Sequence, residues 1–143
     1  MKKKYVIAIA VIFLLTGCTK YKKLECKHQD ENSNMKTIMN QAFYFDEDGK
    51  NIKKMTIKTE YLLKEQYIDY LNKNGLSMDS TINTDSMCNS YKSFDNVSCN
   101  KKIKDNSIVV EVKIDISKKN KDEISGDYKF YKDYFEGMKY ECK

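Results

Sequence analysis

Residues 108–116 read IVVEVKIDI, the most regular alternation of apolar and polar side chains in the chain. A period of two places successive side chains on opposite faces of a β-strand, so one face is predicted to be buried and the other to meet water. The side chains predicted to be buried are Ile108, Val110, Val112, Ile114 and Ile116. Residues 97–104 precede this strand across the turn Lys104-Asp105-Asn106-Ser107, so the two segments are predicted to pair as a hairpin.

A second hairpin is predicted upstream. Residues 37–45, TIMNQAFYF, are rich in β-forming side chains, and residues 52–62 alternate apolar with polar ones. Between them lies DEDGK, residues 46–50, in which Gly49 supplies the positive φ that a tight turn needs. A calcium loop is the alternative, but an EF-hand needs a Glu six residues after its Gly, and that position holds Met55. The turn is therefore the preferred interpretation.

Three helices are predicted from the helical spacing of apolar side chains. They cover about residues 64–74, ended by Gly75, residues 85–94, capped by Thr84, and residues 122–136, ended by Gly137. Their apolar faces are predicted to carry Leu63, Tyr67, Tyr70 and Leu71 in the first, Met87, Cys88, Tyr91 and Phe94 in the second, and Tyr128, Tyr131, Phe135 and Met138 in the third. Residues 28–36 are polar and are predicted to form a loop, and residues 76–83 are polar with scattered apolar side chains.

These elements predict one fold class. Hairpins imply antiparallel pairing, and the apolar face of such a sheet needs helical cover. The sequence therefore predicts a single α+β domain over residues 24–143, in which an antiparallel sheet built from hairpins has two or three helices packed on one face.

Residues 1–17 have the features of a signal peptide. Lys2, Lys3 and Lys4 are followed by an apolar run over residues 5–15. A membrane-spanning helix needs about 20 apolar residues, whereas the core of a signal needs about 7–15. Small residues then lead to Cys18, and residues 18–23 are predicted to be a polar tether. An ordinary secretory signal and an uncleaved anchor are the alternatives.

The motif Leu15-Thr16-Gly17-Cys18 resembles the lipobox of bacterial lipoproteins. The resemblance implies that the Cys18 thiol receives a diacylglyceryl group and that the signal is cut just before it. Two acyl chains, such as palmitate, suffice for stable anchoring. The implied location is the extracytoplasmic face of the cell membrane, within the cell envelope. The lipobox, residues 91–116 and the closing helix together resemble the small YehR-type lipoproteins, a family of unknown function. This resemblance implies an α+β domain on a lipid anchor, and it implies no catalytic residues.

The charge pattern argues against a nucleic-acid partner. All 26 positive side chains are lysines, and the chain has one His and no Arg. Removing the three lysines of the signal leaves 23 lysines against 21 acidic residues, distributed among one another along the chain. Such a balance is typical of a solvated surface and not of a nucleic-acid footprint.

The other cysteines are predicted to form disulfides. Cys26, Cys88, Cys99 and Cys142 are an even set, which outside the cytoplasm predicts two bonds with three open pairings. The favoured pairing joins Cys88 with Cys99 and Cys26 with Cys142. A zinc site at Cys26-Lys27-His28 is the alternative, but structural zinc sites use closely spaced cysteine pairs that are absent here. No metal is therefore predicted, and a catalytic thiol is disfavoured because His28 is the only imidazole that could activate it.

No catalytic residue and no cofactor is predicted, because the sequence lacks a nucleophile elbow, an H-E-x-x-H motif and a Gly-rich phosphate loop. The preferred hypothesis is a membrane-anchored, non-enzymatic binding or interaction module of unknown ligand, with a protein partner at the cell surface as one option. An accessory subunit of a membrane complex is the second hypothesis. A cell-envelope hydrolase is the third, with Asp122-Glu123 or Asp46 and Asp48 as its paired carboxylates.

Overall fold

The computed structural model describes residues 20–116 and 124–143, and within them it contains a six-stranded antiparallel sheet. The strands are β1 Lys22–Glu31, β2 Met35–Phe45, β3 Ile52–Leu63, β4 Val97–Lys104, β5 Ser107–Asp115 and β6 Glu141–Cys142. The helices are α1 Glu65–Lys73, α2 Met78–Thr81, α3 Thr84–Asn89 and α4 Tyr128–Gly137. Strands take 44% of the described residues and helices 25%. The predicted α+β class therefore holds in its coarser form, an antiparallel sheet with short helices on it.

The strand order across the sheet is β4-β5-β3-β2-β1-β6. Strands β2 and β3 form the predicted hairpin, and Gly49 in its turn has a φ of 73°. Strands β4 and β5 form the other predicted hairpin, and β5 joins the sheet beside β3. Strand β6 then returns along β1 and places Cys142 opposite Cys26. Both predicted hairpins are present, and the pairing of β3 with β5 joins them into one sheet.

The cross-strand register separates the sheet into two faces. One row of opposed residues runs across five strands through Leu24, Phe43, Met55, Ile114 and Val97. The described helices pack on this side, which we call the covered face. The β5 side chains that the alternation predicts to be buried lie here, each at most 1% exposed from Ile108 to Ile114. The residues that alternate with them form the opposite side, which we call the open face.

The core on the covered face has two neighbouring parts. Over β3 and β5, α1 packs through Leu71. Over β1 and β2, α4 packs through Phe135, whose ring centroid lies 5.3 Å from that of Phe43. Met55 and Ile116 contact both parts. Burying one such side chain contributes about 1.5–3 kcal/mol, so these short helices are stabilised mainly by packing on the sheet.

The first strand is longer than the sequence predicts. Residues 28–36 are predicted to be a connection, but β1 continues to Glu31 and β2 begins at Met35. Asp30 lies opposite Thr37 in the ladder between them. The prediction is wrong here because pairing of the backbone with β2 supports a strand whose side chains are polar and mostly exposed.

The second predicted helix is wrong at both ends. Helix α3 ends at Asn89, and its cap is Asn83, whose side-chain oxygen accepts the Ser86 N–H at 3.1 Å. Thr84, predicted to be the cap, is the buried first residue of the helix. Residues 76–83, for which the sequence predicts no helix, contain α2, which is capped by Ser77. Two strong cap residues close together divide this segment into two short helices.

The last helix begins later than predicted. Its cap is Asp127, whose carboxylate accepts the Phe130 N–H at 2.8 Å. Residues 124–127 precede the helix, and the predicted start at residue 122 lies outside the described residues. Gly137, predicted to end α4, is its last residue, and the left-handed residue that follows is Lys139 with a φ of 65°.

Two side chains assigned to buried helix faces are exposed instead. Tyr70 of α1 is 54% exposed, and Met138 after α4 is 42% exposed. Leu71 and Phe135 are the buried residues of these helices. On each helix the apolar side chains extend over a wider strip than the strip that contacts the sheet. The side chains at the margin of each predicted face therefore remain in solvent.

Candidate recognition surface

The cysteines predicted to pair lie at disulfide-bonding distance. Cys26 in β1 and Cys142 in β6 are opposed across the sheet edge, with a Cα–Cα distance of 4.1 Å. Cys88 in α3 and Cys99 in β4 are 5.7 Å apart at Cα. These are the two pairings that the sequence favours. Cys18, the predicted lipid attachment residue, lies outside the described residues.

The residues of the alternative metal site have other partners. Cys26 is bonded to Cys142. The Nδ1 of His28 donates to the carbonyl oxygen of Lys139 at 3.1 Å, and the His28 ring stacks on Tyr140 at 4.9 Å. In the described ranges, 20–116 and 124–143, no three His, Cys, Asp or Glu side chains form a metal-binding group.

Of the carboxylates in the hydrolase hypothesis, Asp46 has a structural role in the turn before β3. The Asp46 carboxylate accepts hydrogen bonds from the backbone of Lys50 and from both the backbone and the side chain of Asn51. These hydrogen bonds, led by the one from the Asn51 side chain, hold the pKa of Asp46 below its ordinary value. Asp46 therefore stabilises the turn, and Asp122 and Glu123 lie outside the described residues.

The open face is the broadest polar surface of the sheet. Its central row of opposed residues runs through Lys27, Asn40, Lys58, Glu111 and Asn100, from β1 to β4. Next to it lies a row of Glu25, Ala42, Thr56, Lys113 and Ser98. Lysines, hydroxyls and amides thus share one side of the sheet, opposite to the helices, and the side chains can reach a ligand together.

Part of the positive charge on the open face is neutralised in place. Lys23 pairs with Glu25 at 2.6 Å, and Lys113 pairs with Glu111 at 3.0 Å. The hydrogen bond between Lys23 and Glu25 holds the pKa of Glu25 below its ordinary value and raises the pKa of Lys23. Lysines in such pairs have a carboxylate partner already, and they present less charge to a ligand.

Lys27 and Lys36 on the open face form no ion pair within the described residues, but three further lysines without one lie together at one end of this face. In the described part of the chain, Lys58, Lys102 and Lys104 form no ion pair with a carboxylate. They line a depression of about 210 Å³ together with Asn100 and Glu111. Glu111 already pairs with Lys113. We call these three residues the lysine cluster, and it concentrates positive charge beside the Asn100 amide.

The remainder of the open face holds two larger depressions, of about 660 and 640 Å³. Both are lined by Tyr44 and Thr56, so they adjoin one another along the sheet. The Tyr44 ring contacts Tyr21 edge to face at 6.2 Å, and the Lys23 Nζ lies 5.5 Å from its centre. An aromatic ring and polar groups therefore continue the surface away from the lysine cluster.

Sequence reasoning predicts a wet side for β5 but misses this surface. Residues 101–104 contain three lysines and are a local signal for the β4 part of the cluster. Lys58 belongs to β3. It comes near Lys102 and Lys104 of β4 only because β3 and β4 both pair with β5. No pattern within one segment gives this position.

No helix within the described residues is long and apolar enough to cross a membrane. No protein-family model, no curated protein and no solved structure matches the chain.

Proposed function

We propose that this chain is a lipid-anchored extracytoplasmic protein that binds an anionic polysaccharide, without catalysis, through the open face of its sheet. The observation that carries the binding proposal is the lysine cluster, where Lys58, Lys102 and Lys104 lie around one depression and form no ion pair in the described part of the chain. The anchor is supported by the lipobox that ends at Cys18.

The cysteine pairs support an extracytoplasmic location. Disulfides persist in oxidising compartments and are rare in the cytoplasm of most organisms. Both cysteine pairs lie at bonding distance, and one of them joins the first and last strands of the sheet. A domain with two such bonds suits the cell envelope, where the lipid anchor would hold it.

The chemistry of the open face favours a polysaccharide over a compact anion. Lysine is a flexible point charge, whereas bidentate recognition of a single phosphate or carboxylate favours arginine, which the chain lacks. Asn40, Thr56 and Asn100 offer hydrogen bonds along the sheet, and Tyr44 offers a ring. An extended, hydroxyl-rich chain with dispersed negative charges matches this distribution.

The anchor is tested by replacing Cys18 with Ala. The variant is expected to take up no lipid label and to accumulate as precursor, because the modified thiol is absent. Intact-mass measurement of membrane fractions reads both effects. The matched control is C88A/C99A, which removes two cysteines outside the lipobox together with their disulfide and should leave processing unchanged. Normal lipid labelling of the Cys18→Ala variant would contradict the anchor.

The open face is tested with dextran sulfate as the probe and neutral dextran as the reference. The lipidated full chain in detergent micelles is expected to bind dextran sulfate, and the variant K58E/K102E/K104E to bind at least about tenfold more weakly, since an exposed charge pair in contact is worth about 1 kcal/mol. The control K50E/K73E/K92E makes the same change in net charge at exposed lysines outside the open face. An equal loss in both variants would show attraction by net charge alone and would contradict a site at the lysine cluster.

A further inference from the structure

Helix α4 exposes apolar side chains on a side that does not touch the sheet. Phe130 is 56% exposed, Tyr134 52% and Met138 42%. They are spaced four residues apart, so they lie above one another along one side of the helix. The Phe130 and Tyr134 rings stack with their centroids 6.2 Å apart. We call these three residues the outer stripe.

The outer stripe lies on a different side of α4 from the face that the helix buries. Tyr131 and Phe135 pack on the sheet, and both contact the ring of Phe43. The outer stripe lies outside that core and touches it only at its margin, where Phe130 contacts Tyr131 and Tyr134 contacts Phe135 edge to face. A contiguous exposed apolar patch on a folded domain marks a surface that meets another apolar phase or partner.

The charges beside the outer stripe compensate one another within the helix. Lys129 pairs with Asp133, and Lys132 pairs with Glu136, each four residues apart. The helix surface therefore has no excess of either charge. A partner for the outer stripe is recognised through apolar contact and not through electrostatic attraction.

Helix α4 starts beside the N-terminal end of the described chain. The Lys22 Nζ lies 4.2 Å from the centre of the Tyr128 ring, and the Tyr128 N–H donates to the Gly49 carbonyl at 2.8 Å. Only three residues separate Cys18 from Lys22. At about 3.3–3.6 Å per residue, that connection spans at most about 14 Å. A lipid on Cys18 would thus keep the start of α4 next to the headgroups.

We infer that α4 lies on the extracytoplasmic surface of the membrane and places Phe130, Tyr134 and Met138 among the lipid headgroups as a second contact beside the lipid anchor. The inference rests on the anchor in the proposed function. Aromatic side chains favour this interface because their rings prefer the apolar side and a Tyr hydroxyl stays in water. The open face lies across the sheet from α4, so this contact leaves it directed toward the envelope.

The test uses the absence of tryptophan from the chain. Tyr134→Trp introduces a single reporter on the outer stripe, and the lipidated full chain is placed in phosphatidylcholine vesicles with or without brominated acyl chains. Bromine quenches tryptophan only at close range, so the reporter should lose emission in brominated vesicles and shift to the blue on binding. Phe130→Trp is a second reporter on the same stripe. Ile38→Trp is the matched control, because Ile38 is half-buried on the open face opposite Glu60.

The expected result is quenching of both stripe reporters and little quenching of Ile38→Trp, unchanged in 0.5 M salt because the flanking charges are paired. If the protein floats with the vesicles and the stripe reporters are quenched no more than the control, the contact proposed for α4 is wrong while the anchor stands. If the lipid-labelled protein does not float at all, the anchor fails and the contact fails with it.

Discussion

Thr59 occupies a buried position in the core of the sheet. It lies on the covered face at the centre of β3, between Met39 of β2 and Val110 of β5, and it is 2% exposed. In the described part of the chain, its Oγ1 is a buried polar atom without a hydrogen bond. Its β-branched shape suits a strand, but desolvating an unpaired hydroxyl costs about 1–3 kcal/mol.

Replacing Thr59 with Val should therefore stabilise the protein. Valine keeps the branched shape and removes the unpaired hydroxyl, so the free energy of unfolding is expected to rise by about 1–2 kcal/mol. Guanidinium denaturation of the oxidised protein measures the change. Thr56→Val is the control, because Thr56 is half-buried on the open face of the same strand and should change stability by less than about 0.5 kcal/mol. A loss of stability in Thr59→Val would mean that the hydroxyl is hydrogen-bonded in solution.

At the scale of elements, α4 ends in a Schellman motif whose left-handed residue is a lysine. The Tyr140 N–H donates to the Phe135 carbonyl at 2.9 Å, and the Lys139 N–H donates to the Glu136 carbonyl at 3.0 Å. Glycine is the usual residue at this place because a side chain there is strained. The motif turns the chain into β6, and the Lys139 carbonyl accepts the hydrogen bond from His28.

Lys139→Gly should consequently stabilise the end of α4. Relief of the left-handed strain is expected to raise the free energy of unfolding by about 1 kcal/mol. The same substitution at Lys132, within α4, should lower it by about 1 kcal/mol, because glycine weakens a helix interior. Thermal unfolding followed by circular dichroism compares the two variants. If both substitutions lower the free energy of unfolding, the Lys139 side chain makes a contact that stabilises the protein by more than the left-handed strain costs.

At the scale of the whole molecule, the two cysteine pairs constrain the chain very differently. Cys26 and Cys142 are separated by 116 residues, whereas Cys88 and Cys99 are separated by 11. The first pair holds the two-residue strand β6 against β1 at one edge of the sheet. The second holds α3 against β4 near the other edge. A bond that closes a longer loop removes more freedom from the unfolded chain.

Removal of the long-range pair should cost more stability than removal of the short-range one. In the loop-entropy model, C26A/C142A is expected to lower the free energy of unfolding by about 5 kcal/mol and C88A/C99A by about 3 kcal/mol. Guanidinium midpoints of the two double variants, each with the other bond intact, test the order. A larger loss in C88A/C99A would indicate that packing of α3 on the sheet, and not loop closure, sets the cost.

The strands and the two hairpins were accessible to sequence reasoning, and the helix ends and the first strand were less so. Alternation in β5 and the glycine turn before β3 act over a few residues, so each segment carries its own signal. Helix ends depend on competition between nearby caps, such as Ser77 and Asn83, and β1 extends because β2 supports it. These outcomes depend on partners that local patterns do not contain.

The sequence alone specifies the strands of the two hairpins, the buried side of β5 and a lipobox whose role remains a proposal, because each depends on neighbouring residues. The order of the strands, the open face and the lysine cluster depend on the pairing of β3 with β5, which brings Lys58 near Lys102 and Lys104 across more than 40 residues of chain. Packing also left Phe130, Tyr134 and Met138 outside the core, since the sheet has room for only one side of α4. Contacts between distant segments determine the strand order and these surfaces, because folding balances the burial of apolar area against chain entropy over the whole domain.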